Sequence, residues 1–259
     1  SVITSPPYWQ LRDYGYPEQW GLEPTFNEYL EHLWEMMDEI YRVLKPSGTA
    51  WINLGDTYNT ISGGIRGLER AKKENNLKSI SKKNIIGQGF QQIKSDKIKS
   101  KCLLLLPHRF AIGCIERGWI LRNDIIWAKR NGMPEPVTDR LTKKHEYFFL
   151  LTKNEKYYFD LEAIKDKSIS NDKSKNPGSV SDFWDIPTKP SSNEHYASYN
   201  DNLIMKPILS GCPENGIIYD PFMGTGSTAE ASLRANRNFI GSEMSKKYCI
   251  IAEERLKPF

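Results

Sequence analysis

Short apolar runs and longer stripes at helical spacing take turns along this chain, and that alternation is the pattern of an α/β sheet protein. Residues 1–4 read as a short buried strand. It is stopped by Pro6 and Pro7, since proline cannot donate to a sheet ladder and pushes the residue before it out of helical geometry. Thr25-Phe26-Asn27-Glu28 has the form of a capping box and opens a helix with apolar positions at Tyr29, Leu33, Met36, Met37, Ile40 and Leu44. Lys45-Pro46-Ser47-Gly48 ends it, and residues 49–54 form a second strand. Helices are expected over 104–117, 201–209 and 227–235, with a last one from Ser245. Strands are expected over 120–128, 145–152, 217–220 and 239–242. Residues 57–100 and 165–181 show no clear period and read as loops, the first a long mobile insertion.

Composition changes this picture little. At 259 residues with 39% hydrophobic content, the chain has ample length for one core and no run fit to span a bilayer. Cys102, Cys114, Cys212 and Cys249 are scattered with no Cys-x-x-Cys pair, which argues for reduced thiols, a cytoplasmic setting and no metal site. Charge matters more by its distribution than by its net value of +4. Residues 57–100 hold ten Lys or Arg against three Asp or Glu, suiting either a polyanion or a solvated loop.

Candidate chemistry gathers at two strand ends. Asp220-Pro221-Phe222-Met223-Gly224-Thr225-Gly226-Ser227-Thr228-Ala229 sets a Gly-x-Gly-x-x-Ala turn between an expected strand and an expected helix. Glycines there let a backbone approach a ligand closely. Glu243, at the tip of the next strand, is where a carboxylate can accept the hydroxyls of a ribose. A nucleoside ligand follows, with a nicotinamide or flavin cofactor still open on the turn alone, while the Asp220-Pro221-Phe222 lead-in resembles the S-adenosylmethionine loop of methyltransferases. The second end is Ser5-Pro6-Pro7-Tyr8-Trp9, a polar and aromatic corner stiffened by two prolines. In a doubly wound sheet, ligands sit off the carboxyl ends of strands where the winding reverses, so adjacent strands 1–4 and 217–220 would bring the two ends together.

Ser5-Pro6-Pro7-Tyr8-Trp9, followed much later by Asp220-Pro221-Phe222-Met223-Gly224-Thr225-Gly226-Ser227-Thr228, resembles the DNA amino-methyltransferases of permuted motif order. The likeness covers nearly the whole chain. It includes Gly21-Leu22-Glu23-Pro24, Trp51-Ile52-Asn53-Leu54-Gly55-Asp56, the stretch from Gly118 to Trp127, Met133-Pro134-Glu135-Pro136, Lys144-His145-Glu146-Tyr147 and His195-Tyr196-Ala197. It implies a Rossmann-like, S-adenosylmethionine-dependent fold: a mainly parallel doubly wound sheet with one antiparallel strand and circularly permuted motif order. It further implies a single catalytic domain over residues 1–259. Residues 1–56 and 101–160 form the catalytic half, 160–195 a polar loop open to target recognition, and 196–259 the cofactor-binding half. Relatives usually carry a Gly-Asp strand ahead of the tetrapeptide, so this chain is expected to lack an N-terminal edge strand and to bind cofactor weakly.

The resemblance implies roles as well. The Ser5 side chain and the Pro6 carbonyl would accept hydrogen bonds from an exocyclic amine, with Pro7 holding them rigid and Tyr8 stacking on a flipped base. Asp220, Pro221, Phe222, Gly224, Gly226, Ser227, Thr228, Glu243 and, on a segment passing under the methionine end, Ser198 would hold S-adenosylmethionine. Trp9 either lines the base pocket or packs on the sheet. Asn131, Pro134, Asp139 and Arg140 lie on a loop that approaches the base in relatives, although a surface ion pair is the commonest fate of an arginine. His145 and Glu146 read as structural. Lys72, Lys73, Lys82 and Lys83 would neutralise phosphates.

Methylation at cytosine C5 is set aside. It needs a cysteine nucleophile, which in the family that performs it follows a proline, and here the cysteines follow Lys101, Gly113, Gly211 and Tyr248. With Ser5 at the first position of the tetrapeptide, the resemblance implies cytosine N4 as the target, with adenine N6 the alternative. A nucleotide-dependent oxidoreductase and a catalytically silent DNA-binding module remain the readings from other classes. The partners implied are double-stranded DNA and, as in phage and bacterial restriction–modification systems, a cognate endonuclease.

Overall fold

The computed structural model describes residues 1–59, 98–132, 135–165, 180–188 and 201–259. They divide into two compact units, one of Ser1–Pro6, Met37–Leu54 and Ala111–Phe259, the other of Pro7–Met36 and Gly55–Phe110.

A seven-stranded sheet forms the first unit. Its strands are β1 (Val2–Thr4), β2 (Thr49–Leu54), β5 (Ile120–Ala128), β6 (His145–Thr152), β7 (Phe183–Asp185), β8 (Ile217–Asp220) and β9 (Asn238–Gly241), in the spatial order β7-β5-β6-β2-β1-β8-β9. Only β6 runs antiparallel to its neighbours β2 and β5. The other pairings are all parallel. The expected mainly parallel sheet with one antiparallel strand is therefore the observed one. β1 lies inside it, with β2 on one side and β8 on the other, so the winding reverses at β1. Ile3, Trp51, Phe148, Leu150, Leu203, Ile208 and Ile218 form the core against this sheet. They come from β1, β2, β6, β8 and the helix Asp201–Gly211 (α3).

Several boundaries move for identifiable reasons. The helix expected over 104–117 is α2 (Leu106–Glu116). Leu104 is instead a core residue and Leu105 takes a left-handed φ of 57°, so the helix cannot begin before them. Strand β7 interrupts the loop expected around residues 160–195, with Trp184 buried and both its neighbours exposed. A 3-10 turn, Glu162–Ile164, also falls in that stretch. The remaining two helices, α4 (Ser227–Arg234) and α5 (Lys246–Leu256), follow the expected pattern, with Ser245 capping α5 by accepting from the Tyr248 amide.

The second unit contains the first part of helix α1 (Phe26–Val43) and the short hairpin β3 (Tyr58–Asn59) with β4 (Cys102–Leu103). The capping box forms as read: the Glu28 amide donates to Thr25 Oγ1 at 3.2 Å and the Thr25 amide to Glu28 Oε2 at 3.3 Å. Asp56 Oδ1 accepts from the Leu106 amide at 3.0 Å and so caps α2. Among the described residues, no helix is long and apolar enough to cross a membrane.

Candidate active site

β1 and β8 are parallel neighbours, so their carboxyl ends, leading into Ser5 and Pro221, lie side by side at one edge of the sheet. The two ends are also tied directly. Thr4 Oγ1 donates to Asp220 Oδ1 at 2.6 Å, and the second carboxylate oxygen accepts from Thr228 Oγ1 at 2.6 Å. The Phe222 amide adds a third donor at 3.0 Å. Asp220 is 1% exposed. Burial pushes its carboxyl up to about 6, against the three hydrogen bonds, which pull it down. Asp220 thus joins β1, β8 and α4 through buried bonds.

The glycine turn uses its two glycines differently. Gly226, at φ 82°, is the N-cap of α4, and a Cβ there would come within 3.0 Å of Ala252 on α5. It serves close packing. Gly224, at φ 55°, would send a Cβ into open space, meeting only the Phe222 carbonyl at 4.0 Å. Its side-chain volume is left to whatever approaches the turn, as a bound nucleoside would require. Glu243 lies beside it: Oε2 accepts from the Gly224 amide at 2.9 Å and Oε1 from the Ser245 amide at 2.7 Å. Each oxygen keeps a lone pair. Ser227 is buried, with its hydroxyl accepting from Arg255 at 2.6 Å, while Pro221 and Phe222 are half-buried.

At the other end, Ser5 is half-buried and donates to Asn53 Oδ1 at 3.4 Å. Pro7 and Tyr8 fall in the second unit. There Tyr29, whose phenol burial and Glu23 push well above its ordinary range, donates to the Pro7 carbonyl at 2.9 Å. The Tyr8 ring lies so close to Gly55 that a Cβ there would come within 2.6 Å of it. A Cβ on Gly21, at φ 93°, would meet the Tyr8 carbonyl oxygen at 3.0 Å. Gly21 and Gly55 sit in motifs quoted from the sequence, but nothing in the sequence marked them as the walls around Tyr8.

Other expected site residues are placed as follows. Trp9 is 4% exposed, packs edge-on against Phe26 and donates to the Glu23 carbonyl at 2.9 Å. Its indole is interior, packed within the protein as the second of the two readings of Trp9 has it. Asn131 exchanges hydrogen bonds with the Thr188 backbone, at 2.7 and 2.8 Å. Arg140 pairs with Glu135. His145 bonds the Tyr147 hydroxyl at 3.2 Å and Glu146 pairs with Lys129. Pro134, Ser198, Lys72, Lys73, Lys82 and Lys83 lie outside the described residues.

A family model described as a DNA methylase, of the N6/N4 methyltransferases, matches residues 1–254. The Type II methyltransferase M.Cfr9I of Citrobacter freundii is 38% identical over 256 residues, 99% of this chain and 80% of that protein. M.SmaI of Serratia marcescens, also named a Type II methyltransferase, is 37% identical over 255 residues, 98% of this chain and 83% of that protein. Among solved structures, PvuII DNA methyltransferase (cytosine-N4-specific) superposes with a TM-score of 0.67 at 17% identity, covering 98% of this chain and 78% of that one. A putative DNA modification methylase from Thermus thermophilus, in complex with S-adenosyl-L-methionine, superposes at 0.60 and 23%, over 98% and 83%. These two likenesses speak for the fold. The family match over nearly the whole sequence and the two close relatives decide the rest: the chain belongs to the N6/N4 DNA methylase family.

Proposed function

We propose that this chain transfers the methyl group of S-adenosylmethionine to the exocyclic amine of a base flipped out of double-stranded DNA, cytosine N4 in preference to adenine N6. What carries the proposal is the adjacency of β1 and β8, with Thr4 hydrogen-bonded to Asp220, because it sets a candidate amine-binding end next to a glycine turn that leaves room at Gly224.

The amine's lone pair is delocalised into the base, so it is a poor nucleophile until its hydrogens are held by acceptors. Ser5 Oγ and the Pro6 carbonyl supply two, and Tyr8 stacks on the base. Gly224, Phe222 and Glu243 hold the cofactor, Glu243 through the lone pairs left after it receives the Gly224 and Ser245 amides. When bound, S-adenosylmethionine supplies an electrophilic methyl on sulfonium. The protein's own contribution is alignment of donor and acceptor without a covalent intermediate. Ser198 and the Asn131 to Arg140 loop are assigned to cofactor and DNA by resemblance. Asp220, Ser227 and Thr228 act by shaping the turn, since their side chains are spent on internal bonds. Type II relatives support a role as the modifying member of a restriction–modification pair, acting on DNA in the cytoplasm of a prokaryote.

Nucleoside mass spectrometry of DNA from a methylation-deficient host expressing the chain tests the proposal. N4-methylcytosine is the expected product. N6-methyladenine alone overturns the base preference, and neither product overturns the reaction.

A further inference from the structure

We infer that Asn53 is a positioning residue that makes Ser5 a pure acceptor towards the target amine. The inference rests on the role proposed above for Ser5. A serine hydroxyl has one proton and two lone pairs. If that proton points at the amine nitrogen, it ties up the lone pair that must attack the methyl. It therefore has to be donated elsewhere, and in the structure it is donated to Asn53 Oδ1, at 3.4 Å.

The register explains why Asn53 is the recipient. Thr4 on β1 is paired with Ile52 on β2, so the next residues in each strand direction, Ser5 and Asn53, stand side by side. Asn53 is also unable to turn its amide round. Its Nδ2 donates to the Tyr147 carbonyl at 2.9 Å, across the antiparallel β2–β6 pairing in which Leu54 faces Tyr147. A flipped amide would set Oδ1 against that carbonyl oxygen, acceptor on acceptor, and would aim N–H donors at the Ser5 oxygen. Asn53 is 2% exposed, so water offers no easy compensation. The 3.4 Å separation is long for a hydroxyl donor, as expected of a site whose hydrogen bonds tighten with substrate present. Ser5, Asn53 and Tyr147 thus form a relay in which a main-chain carbonyl on β6 fixes the direction of a proton at the tip of β1.

A double-mutant cycle tests this, using Ser5→Ala, Asn53→Leu and the double variant of the full chain. The readout is single-turnover transfer of tritiated methyl from S-adenosylmethionine to sheared DNA from a methylation-deficient strain. Asn53→Leu is expected to slow transfer about tenfold or more, with the Kd for S-adenosylmethionine unchanged. It should have no further effect once Ser5 is Ala. Independent, multiplying losses overturn the inference, as does a full rate in Asn53→Leu. A full rate in Ser5→Ala overturns the proposed role of Ser5 itself, which separates the two failures. Asn53→Ala completes the cycle if the leucine melts well below the parent.

Discussion

Thr4 and Asp220 stand 216 residues apart along the chain and 2.6 Å apart in the fold, hydroxyl on carboxylate. The bond is buried at the reversal of the sheet, with the Phe222 amide donating to the same carboxylate oxygen and Thr228 to the other. Its cost is charge in a dry place. Burial raises the Asp220 pKa from an ordinary 3.8 to about 6, so the folded chain holds that proton more tightly than the unfolded chain does. The stabilising effect of that proton is complete below 3.8 and is lost as pH rises through about 6.

Asp220→Asn removes this titration. Relative to that variant, the parent should gain stability on the order of 2–3 kcal/mol as pH falls from about 7 to about 4. Denaturant melts at several pH values check it. Parallel stability curves for the two proteins are the contrary outcome.

Gly55→Ala should act on Tyr8. The new methyl would stand within 2.6 Å of the ring, so the ring must leave its place beside the chain. Because displacing a positioning group by an ångström can cost roughly 100-fold in rate, transfer should fall about 10- to 100-fold while the protein stays folded. Stopped single-turnover assays with parallel melting curves measure both. An unchanged rate would mean that Tyr8 does not need this position.

The two glycines of the turn should separate stability from binding. Gly226→Ala meets Ala252 at 3.0 Å and a φ of 82°, so it should lower the melting temperature. Gly224→Ala faces open space at φ 55° and should cost only about 1 kcal/mol of stability. Its larger effect should be weaker binding of S-adenosylmethionine, read by calorimetry. If both variants lose stability equally and neither loses affinity, the division of labour is wrong.

Changing Lys72, Lys73, Lys82 and Lys83 to Glu should weaken DNA binding and flatten its dependence on salt, because fewer counterions are released per complex. Binding isotherms across a salt series give the slope. A slope equal to the parent's assigns that stretch no phosphate contacts.

Strands β2, β5 and β8 are legible in the sequence because apolar and β-branched runs are bounded there by Gly, Pro or Asp, and β6 because its Phe, Tyr and Leu residues run together between polar lysine-rich flanks. Strand β7 is not, because only Trp184 of its three residues faces the core and so no period exists to be read. The two chemical ends were recognisable as motifs. The bonds that join and orient them were not: Thr4 with Asp220, and Asn53 with Ser5, depend on register between strands distant in sequence. Trp9 shows the converse case. An aromatic after two prolines fits a pocket or a core equally well, and Phe26 on α1 decided for the core.

The place of β1 between β2 and β8 also has a kinetic side. The strand precedes its β8 neighbour by more than two hundred residues, so that flank stays bare until the Thr4 partner 216 residues later leaves the ribosome. Closing so long a loop comes late in folding. A nascent or interrupted chain therefore carries the proposed amine-binding corner with no proposed methyl-donor site beside it, and the two come together only once β8 has joined the sheet.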